Sequence, residues 1–145
     1  MAGAGDLTEY DILKDSYKNY YGFFQQHCIS LGYDKSRLVM GILDGRFLIF
    51  DLNTDTSVLL DEDPTKSYIC ILTISQNDRY AASSRASTFI FVWDLITPKL
   101  FFKLDSNNSH STEFLLFDIQ ETHLISSFKR EFVSVCDLTK GEQMV

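Results

Sequence analysis

The sequence predicts an all-β chain made of three copies of one four-stranded antiparallel unit. The main observation is a tripeptide that recurs every 43 residues, as Phe50-Asp51-Leu52, Trp93-Asp94-Leu95 and Cys136-Asp137-Leu138. The positions around it keep the same step without a gap, as in the apolar series Leu38, Ala81 and Leu124. Aromatic residues make up 14% of the chain, and such side chains suit the half-buried surface of a strand. A gap-free repeat of this length indicates a repeat architecture in which each copy is one supersecondary unit.

Within each unit, runs of strand-forming residues alternate with short turn sequences. In the middle unit the predicted strands cover residues 68–75, 80–84, 88–94 and 99–104. Pro98 has no backbone N–H to give to a sheet, so it belongs in the turn between the third and fourth strands. In the first unit, Asp44-Gly45 stands between two apolar runs, which is a strong hairpin signal. Four antiparallel strands with an aspartate closing the third are typical of a β-propeller blade.

Residues 27–145 resemble the WD-repeat family, and the best match is the segment at residues 91–95, Phe-Val-Trp-Asp-Leu. The resemblance divides this range into three blades, at residues 27–61, 68–105 and 111–145. The family's structural hydrogen bonds join the tryptophan, a second-strand serine or threonine, a loop histidine and a hairpin aspartate, and no blade here has all four. Phe50 and Cys136 stand where the family has tryptophan. The resemblance implies structural roles for Asp44, Asp51, Ser83, Trp93, Asp94, His110 and Asp137.

Residues 1–26 do not continue the repeat. Tyr10, Leu13, Tyr17, Tyr20 and Phe24 recur at intervals of three and four residues, which is the spacing of a helix stripe. We therefore interpret this segment as a short helix that packs on the first blade, with a docking or dimerisation helix as the alternative. The aromatic cluster at residues 20–24 would suit a strand equally well.

Charge, cysteines and hydropathy exclude several classes of protein. The net charge of −7 makes nucleic acid an unlikely partner, because phosphate binding needs basic surface. Cys28, Cys70 and Cys136 form no C-x-x-C pair, so we expect reduced and mostly buried thiols rather than disulfides or zinc ligands. No apolar run reaches the roughly 18 residues of a membrane span. The first six residues do not resemble a secretory signal, and the expected location is cytoplasmic.

The sequence offers no positive sign of catalysis. The acidic run at residues 61–63 matches no cation-binding loop, and a solvated loop is the better interpretation. His27, His110 and His123 lie far apart, and neither a nucleophile motif nor a glycine-rich phosphate loop accompanies them. We therefore predict a protein that is not an enzyme and has no catalytic residue, metal ligand or cofactor.

Charged residues at one rim of the predicted propeller form a candidate partner-binding surface. Basic groups fall in the turns between second and third strands, and these turns share a rim with the loops that join the blades. The candidate residues are Arg46, Asp63, Arg85, His110, Lys129 and Arg130. A mixed rim of this kind suits charged or phosphorylated peptides, which arginine can bind through two parallel hydrogen bonds. Solvated hairpin tips are the plainer interpretation.

Three blades cannot close a ring, since propellers have at least four. The prediction is therefore a part of a larger WD-repeat protein that acts as a non-catalytic scaffold for protein–protein interaction, as the family resemblance implies. The alternative function is binding of an anionic ligand through the basic hairpin tips, such as a phosphoinositide, a phosphopeptide or nucleic acid. A homodimer that completes a six-bladed ring is the alternative arrangement.

Overall fold

The computed structural model describes residues 5–11, 14, 16–23, 26–60, 67–86, 88–105, 111–128 and 132–143. These residues form strands and turns, and none of them belongs to a helix that could cross a membrane. The predicted all-β class is therefore confirmed.

The N-terminal segment is a β-hairpin where the sequence predicted a helix. Strand β1 (Gly5–Asp11) pairs antiparallel with β2 (Ser16–Phe23), and the register sets Tyr10 opposite Tyr17. The helix prediction is wrong for these residues, and the strand alternative is correct as far as Phe23. An isolated helix of this length is marginal in water, whereas an aromatic-rich segment favours a pleated strand.

The rest of the described chain forms three antiparallel sheets, each with its four strands in sequential order. Blade 1 contains β3 (Gln26–Leu31), β4 (Arg37–Ile42), β5 (Phe47–Asp51) and β6 (Thr56–Leu60). Blade 2 contains β7 (Ile69–Ile74), β8 (Tyr80–Arg85), β9 (Phe89–Asp94) and β10 (Lys99–Asp105). Blade 3 contains β11 (Thr112–Phe117), β12 (His123–Phe128), β13 (Phe132–Asp137) and β14 (Glu142–Gln143). The 43-residue repeat of the sequence is thus a repeat of four-stranded sheets.

The repeat also fixes the backbone of the turn between the first and second strands of each blade, here called the first turn. Lys35, Asp78 and Glu121 occupy the same place in the three first turns, and their φ angles are +60°, +59° and +56°. A non-glycine residue in this left-handed region costs roughly 1–2 kcal/mol. Such a cost at every copy indicates that the surrounding hydrogen bonds impose the conformation.

The blades pack face to face through alternate residues of their strands. One buried cluster joins blade 1 to blade 2, and it contains Val39, Phe47 and Ile49 of blade 1 and Ala81, Phe91 and Trp93 of blade 2. A second cluster joins the other face of blade 2 to blade 3, and it contains Ala82, Ile90 and Val92 of blade 2 and Leu124, Phe128 and Cys136 of blade 3. Strands alternate their side chains between two faces, so the middle blade is apolar on both sides.

Gly41 allows blade 1 and blade 2 to approach closely. A Cβ atom at this position would lie 2.7 Å from the Cβ of Ile69 on β7 and 2.7 Å from the Sγ of Cys28. Real Cβ atoms essentially never come so near to other atoms, so only glycine fits between these two strands. Blades 2 and 3 have the small residues Ser84 and Ser127 at the same place in the repeat.

Candidate functional site

Trp93 lies at the centre of the contact between blades 1 and 2. Its side chain is fully buried, and its ring stacks on that of Phe47 with centroids 4.7 Å apart and planes 10° apart. Its Nε1–H donates a hydrogen bond of 2.9 Å to Oγ of Ser83 on the neighbouring strand. The structure therefore places this tryptophan–serine pair inside the molecule: the hydrogen bond lies within blade 2, and the stacked ring of Phe47 joins blade 2 to blade 1.

The aspartates that end the third strands hold the turns that follow them. The carboxylates of Asp51, Asp94 and Asp137 accept hydrogen bonds from the amides two and three residues further on, at 2.8 to 3.3 Å. The amide of Thr54 is the main cause that lowers the pKa of Asp51 below its ordinary value of 3.8. Burial opposes ionisation of Asp94, but backbone amides, with that of Thr97 first, outweigh it and lower its pKa as well. All three carboxylates therefore bind the backbone of the turn between the third and fourth strands.

Arg85 does not lie on the predicted rim surface, and its assignment there is corrected. Its side chain is buried between blades 1 and 2, with its guanidinium carbon 4.4 Å from the ring centroid of Phe91. One guanidinium nitrogen donates to the carbonyl oxygens of Gly45, at 2.6 Å, and Ser67, at 3.0 Å. Arg85 thus ties a hairpin of blade 1 to the start of blade 2, because both carbonyls accept from the same group.

Arg46 and Asp44 pair with each other at the tip of the second hairpin of blade 1. The Nε and one terminal nitrogen of Arg46 lie 2.7 and 2.6 Å from the same carboxylate oxygen of Asp44. The Asp44 carboxylate is therefore engaged with the rim arginine. The side chains of the remaining rim candidates, Asp63, His110, Lys129 and Arg130, lie outside the described residues.

A set of carboxylates that the sequence analysis missed links the first turns of successive blades. The two carboxylate oxygens of Asp78 accept hydrogen bonds from the amides of Tyr33, at 2.6 Å, and Asp34, at 2.7 Å. One carboxylate oxygen of Glu121 accepts from the amide of Asn77 at 2.6 Å. Both carboxylates therefore reach back from one blade to the first turn of the blade before it. The sequence gives only a weak signal for this contact: blades 2 and 3 have an acidic residue at the register position where blade 1 has Lys35.

The first residue of each first turn, Gly32 in blade 1 and Ser75 in blade 2, lies next to the carboxylate that binds the turn. A Cβ at Gly32 would lie 2.8 Å from Oδ1 of Asp78, so the short aspartate side chain needs glycine there. In the next blade the same position is Ser75, which does carry a Cβ, and the clamping residue is the longer Glu121. Glutamate is longer than aspartate by one methylene, and we attribute its use opposite Ser75 to this extra reach.

Blade 3 exposes the face that the other two blades bury. Cross-strand pairing puts six residues, here called the outward face of blade 3, on one side of the sheet: Phe114, Leu116, Ile125, Ser127, Val133 and Val135. Phe114 is 71% exposed, Leu116 58% and Val133 62%. The residues at the position of Val133 in blades 2 and 1 are Ile90 and Phe47, which are 3% and 0% exposed.

Other chemistry is sparse in the part of the chain that the structure describes. Among those residues no group of three or more histidine, cysteine, aspartate and glutamate side chains is placed to hold a metal ion. The three cysteines are free thiols. Burial raises the pKa of Cys28 and of Cys136 to about 11, which makes both thiols poor nucleophiles at neutral pH.

Comparison with known proteins identifies the architecture. No protein-family model and no curated sequence matches the chain. The β-propeller domain of Myceliophteria thermophila Cps50 (Swd1) is similar in structure, with a TM-score of 0.74 and 18% identity. The WD40 repeats of RRP9 give a TM-score of 0.75 at 15% identity, and U3-55K gives 0.75 at 14%.

These alignments cover 86–87% of this chain but 37–40% of the matched structures. The chain therefore has the fold of consecutive WD40 propeller blades and spans about two fifths of the length of the propellers it matches.

Proposed function

We propose that this chain forms part of a WD-repeat propeller that serves as a non-catalytic platform for protein–protein interaction. The observation that carries the proposal is the exposed apolar face of blade 3, whose counterparts in blades 1 and 2 are buried. Contiguous apolar surface of this kind marks protein interaction sites. The similarity to WD40 propellers supports a protein partner, and the free cysteines support a reducing compartment such as the cytoplasm.

The energy available at this face is large enough for a specific contact. Full burial of a Phe, Leu or Val side chain stabilises by about 1.5–3 kcal/mol relative to exposure. Phe114, Leu116 and Val133 are 71%, 58% and 62% exposed, so burial of what remains accessible would together supply roughly 3–6 kcal/mol on this scale. Part of that gain offsets the loss of translational and rotational freedom on association, so the flanking polar groups have to contribute as well.

The alternative, an anionic ligand at the basic hairpin tips, has less support in the described part of the chain. Arg85 is buried, and Arg46 is bound to Asp44. The net charge of −7 repels phosphate groups at long range. Binding of phosphoinositide vesicles that falls steeply with salt and is lost in Arg46→Ala would favour this alternative.

Site-specific photocrosslinking in cells tests the proposal. A photoreactive phenylalanine analogue replaces Val133 on the outward face of blade 3, and the control carries it at Val58, which is 42% exposed on the outer strand of blade 1. We expect a discrete protein adduct at position 133 that the control lacks and that Phe114→Asp abolishes. The same adducts from both positions, or none at position 133, would argue against an interaction platform at this face.

A further inference from the structure

We infer that the outward face of blade 3 binds a further propeller blade whose first turn carries a glutamate, and that a second copy of this chain is not its occupant. The inference rests on the proposed function and specifies the chemistry of the partner.

The molecule contains two examples of what covers this face. Blade 2 covers the corresponding face of blade 1, and blade 3 covers that of blade 2. In both contacts a carboxylate of the covering blade binds the first turn of the covered blade, through Asp78 and Glu121. A covering sheet of the same kind therefore satisfies both the apolar face of blade 3 and its first turn.

The first turn of blade 3 offers the donors that such a carboxylate uses. Gln120 corresponds in the repeat to Asp34 and Asn77, whose amides bind Asp78 and Glu121. Ile119 corresponds to Tyr33, whose amide binds Asp78. Both residues are exposed, and their amides have no acceptor among the described residues. Hydrogen bonds from such amides to an ionised carboxylate are roughly twice as strong as those between neutral groups.

The residue beneath this site selects glutamate over aspartate. Asp118 of blade 3 stands where blade 1 has Gly32 and blade 2 has Ser75. A Cβ at Gly32 would lie 2.8 Å from Oδ1 of the aspartate that binds there. Asp118 carries such a Cβ, so by the same geometry we expect it to exclude an incoming aspartate. Ser75 and Asp118 both turn a side-chain oxygen to the amide five residues on, at 2.9 and 2.8 Å. Blade 3 therefore presents the arrangement that accepts glutamate in blade 2.

The negative charge of Asp118 is already engaged, so it does not bar a second carboxylate. Its oxygens accept hydrogen bonds from the amides of Thr122 and His123 and from the hydroxyl of Thr122, all at 2.8 Å. The Nδ1 of His123 lies 3.3 Å from the same carboxylate. Burial opposes ionisation of Asp118, but these donors outweigh it and its pKa is lowered.

A second copy of the chain fits this surface poorly. Its blade 1 carries Lys35 at the clamping position, and an ammonium group has no lone pair to accept a hydrogen bond from the amides. Lys35 could pair with Asp118 instead, but the face of blade 1 that would have to dock is already buried. The buried residues of that face are Leu38, Met40, Ile42, Leu48 and Phe50.

The test uses the full chain extended by an in-register copy of its own residues 103–145, placed directly after Val145. The appended blade then carries a copy of Glu121 opposite Gln120. We expect the amide of Gln120 to exchange its hydrogen at least about 10-fold more slowly than in the native chain, as an ordered hydrogen bond protects it. Glu121→Asp and Glu121→Lys in the appended copy should abolish this protection while far-UV circular dichroism stays unchanged.

Equal protection with glutamate, aspartate and lysine, or none in a folded extended chain, would overturn the inference. If the appended blade does not fold, the same side-chain requirement can be tested at the native contact between Glu121 and Asn77. Glu121→Asp in the unextended chain should speed hydrogen exchange at the Asn77 amide about 10-fold. Retained protection of that amide would refute the argument from side-chain length. A native chain that light scattering shows to be a dimer, with Gln120 protected, would make a second copy the occupant. None of these results depends on a cellular adduct at Val133, so this inference and the proposed function can fail separately.

Discussion

Replacing Trp93 with alanine should destabilise the chain by about 3–5 kcal/mol, the cost of other large-to-small changes at well-packed core positions. The side chain is fully buried, stacks on Phe47 and bonds to Ser83, so its removal leaves a cavity and a buried hydroxyl without its donor. A domain of this size has a total stability of roughly 5–15 kcal/mol. The expected loss is therefore a large fraction of the total free energy of unfolding.

A double-mutant cycle separates the hydrogen bond from the packing. Trp93→Phe keeps an aromatic ring against Phe47 and should cost about 1–3 kcal/mol, since it leaves Ser83 buried without its donor. Ser83→Ala leaves Nε1 of Trp93 without an acceptor and should cost a similar amount. The double variant should cost less than the sum of the two by about 1 kcal/mol, because neither polar group then remains unsatisfied.

Urea unfolding followed by far-UV circular dichroism measures these changes. Trp93 is the only tryptophan of the chain, so its fluorescence cannot report on the variants. With a urea slope of about 2 kcal/mol per molar, the alanine variant should unfold at a midpoint roughly 2 M lower. Ile96→Ala, at a 63% exposed position, serves as the control. A cost below about 0.5 kcal/mol for Trp93→Ala, as at a surface position, would refute the placement of Trp93 between the blades.

Four further predictions follow from the contacts between blades and within turns. Arg85→Ala should lower the free energy of unfolding by about 2–4 kcal/mol in the same urea assay. Arg85→Met should lower it by less than half of that, because methionine refills the buried volume without a charge; equal losses for the two variants would contradict this. Asp78→Ala should speed amide exchange in the first turn of blade 1 about 10-fold, and Gly32→Ala should do the same by displacing the carboxylate; unchanged exchange in both would exclude the clamp. The folded-state pKa of Asp94 lies below its unfolded value near 3.9. Its contribution to stability is therefore complete above the unfolded pKa and is lost as pH falls through the folded pKa. Asp94→Asn should flatten the fall of the urea midpoint below about pH 4, and a fall as steep as in the native chain would contradict this prediction. With a thiol pKa of about 11, Cys136 should react with maleimide at pH 7.5 at least about 100-fold more slowly than an ordinary cysteine, and peptide mapping that finds it labelled first would contradict this.

The blade architecture could be predicted from the sequence because the repeat has no gaps. A constant step of 43 residues means that one recognised tripeptide, such as that around Trp93, sets the register of every strand. Two-residue periodicity then assigns each residue to a face. The N-terminal segment had no such support, since it stands outside the repeat, and its spacing of aromatic residues fits a hairpin as well as a helix.

The role of Arg85 could have been read from the same register. It occupies the place of Ile42 in blade 1 and Phe128 in blade 3, both of which are buried. The charged side chain of arginine suggested a solvated turn, whereas its place in the repeat predicts a buried position. The place in the repeat is the better guide, because the strand register fixes which face of the sheet a second-strand residue occupies. The clamping carboxylates differ in this respect. Their partners are backbone amides some 44 residues away, and backbone donors have no sequence signature.

The three blades show why a divergent repeat can keep the architecture without the hydrogen-bond set that its resemblance to WD repeats led us to expect. At the second-strand and third-strand positions where blade 2 pairs Ser83 with Trp93, blade 1 has Met40 and Phe50, and both of these residues are buried. Replacing both partners of a buried hydrogen bond with apolar groups can be nearly neutral, whereas replacing one is costly. Blade 1 has changed both positions, whereas blade 3 keeps a buried serine, Ser126, and has Cys136 in place of the tryptophan. Blades 1 and 3 thus keep the architecture without the tryptophan–serine bond, and the carboxylates of Asp78 and Glu121 add directional contacts between the first turns of successive blades.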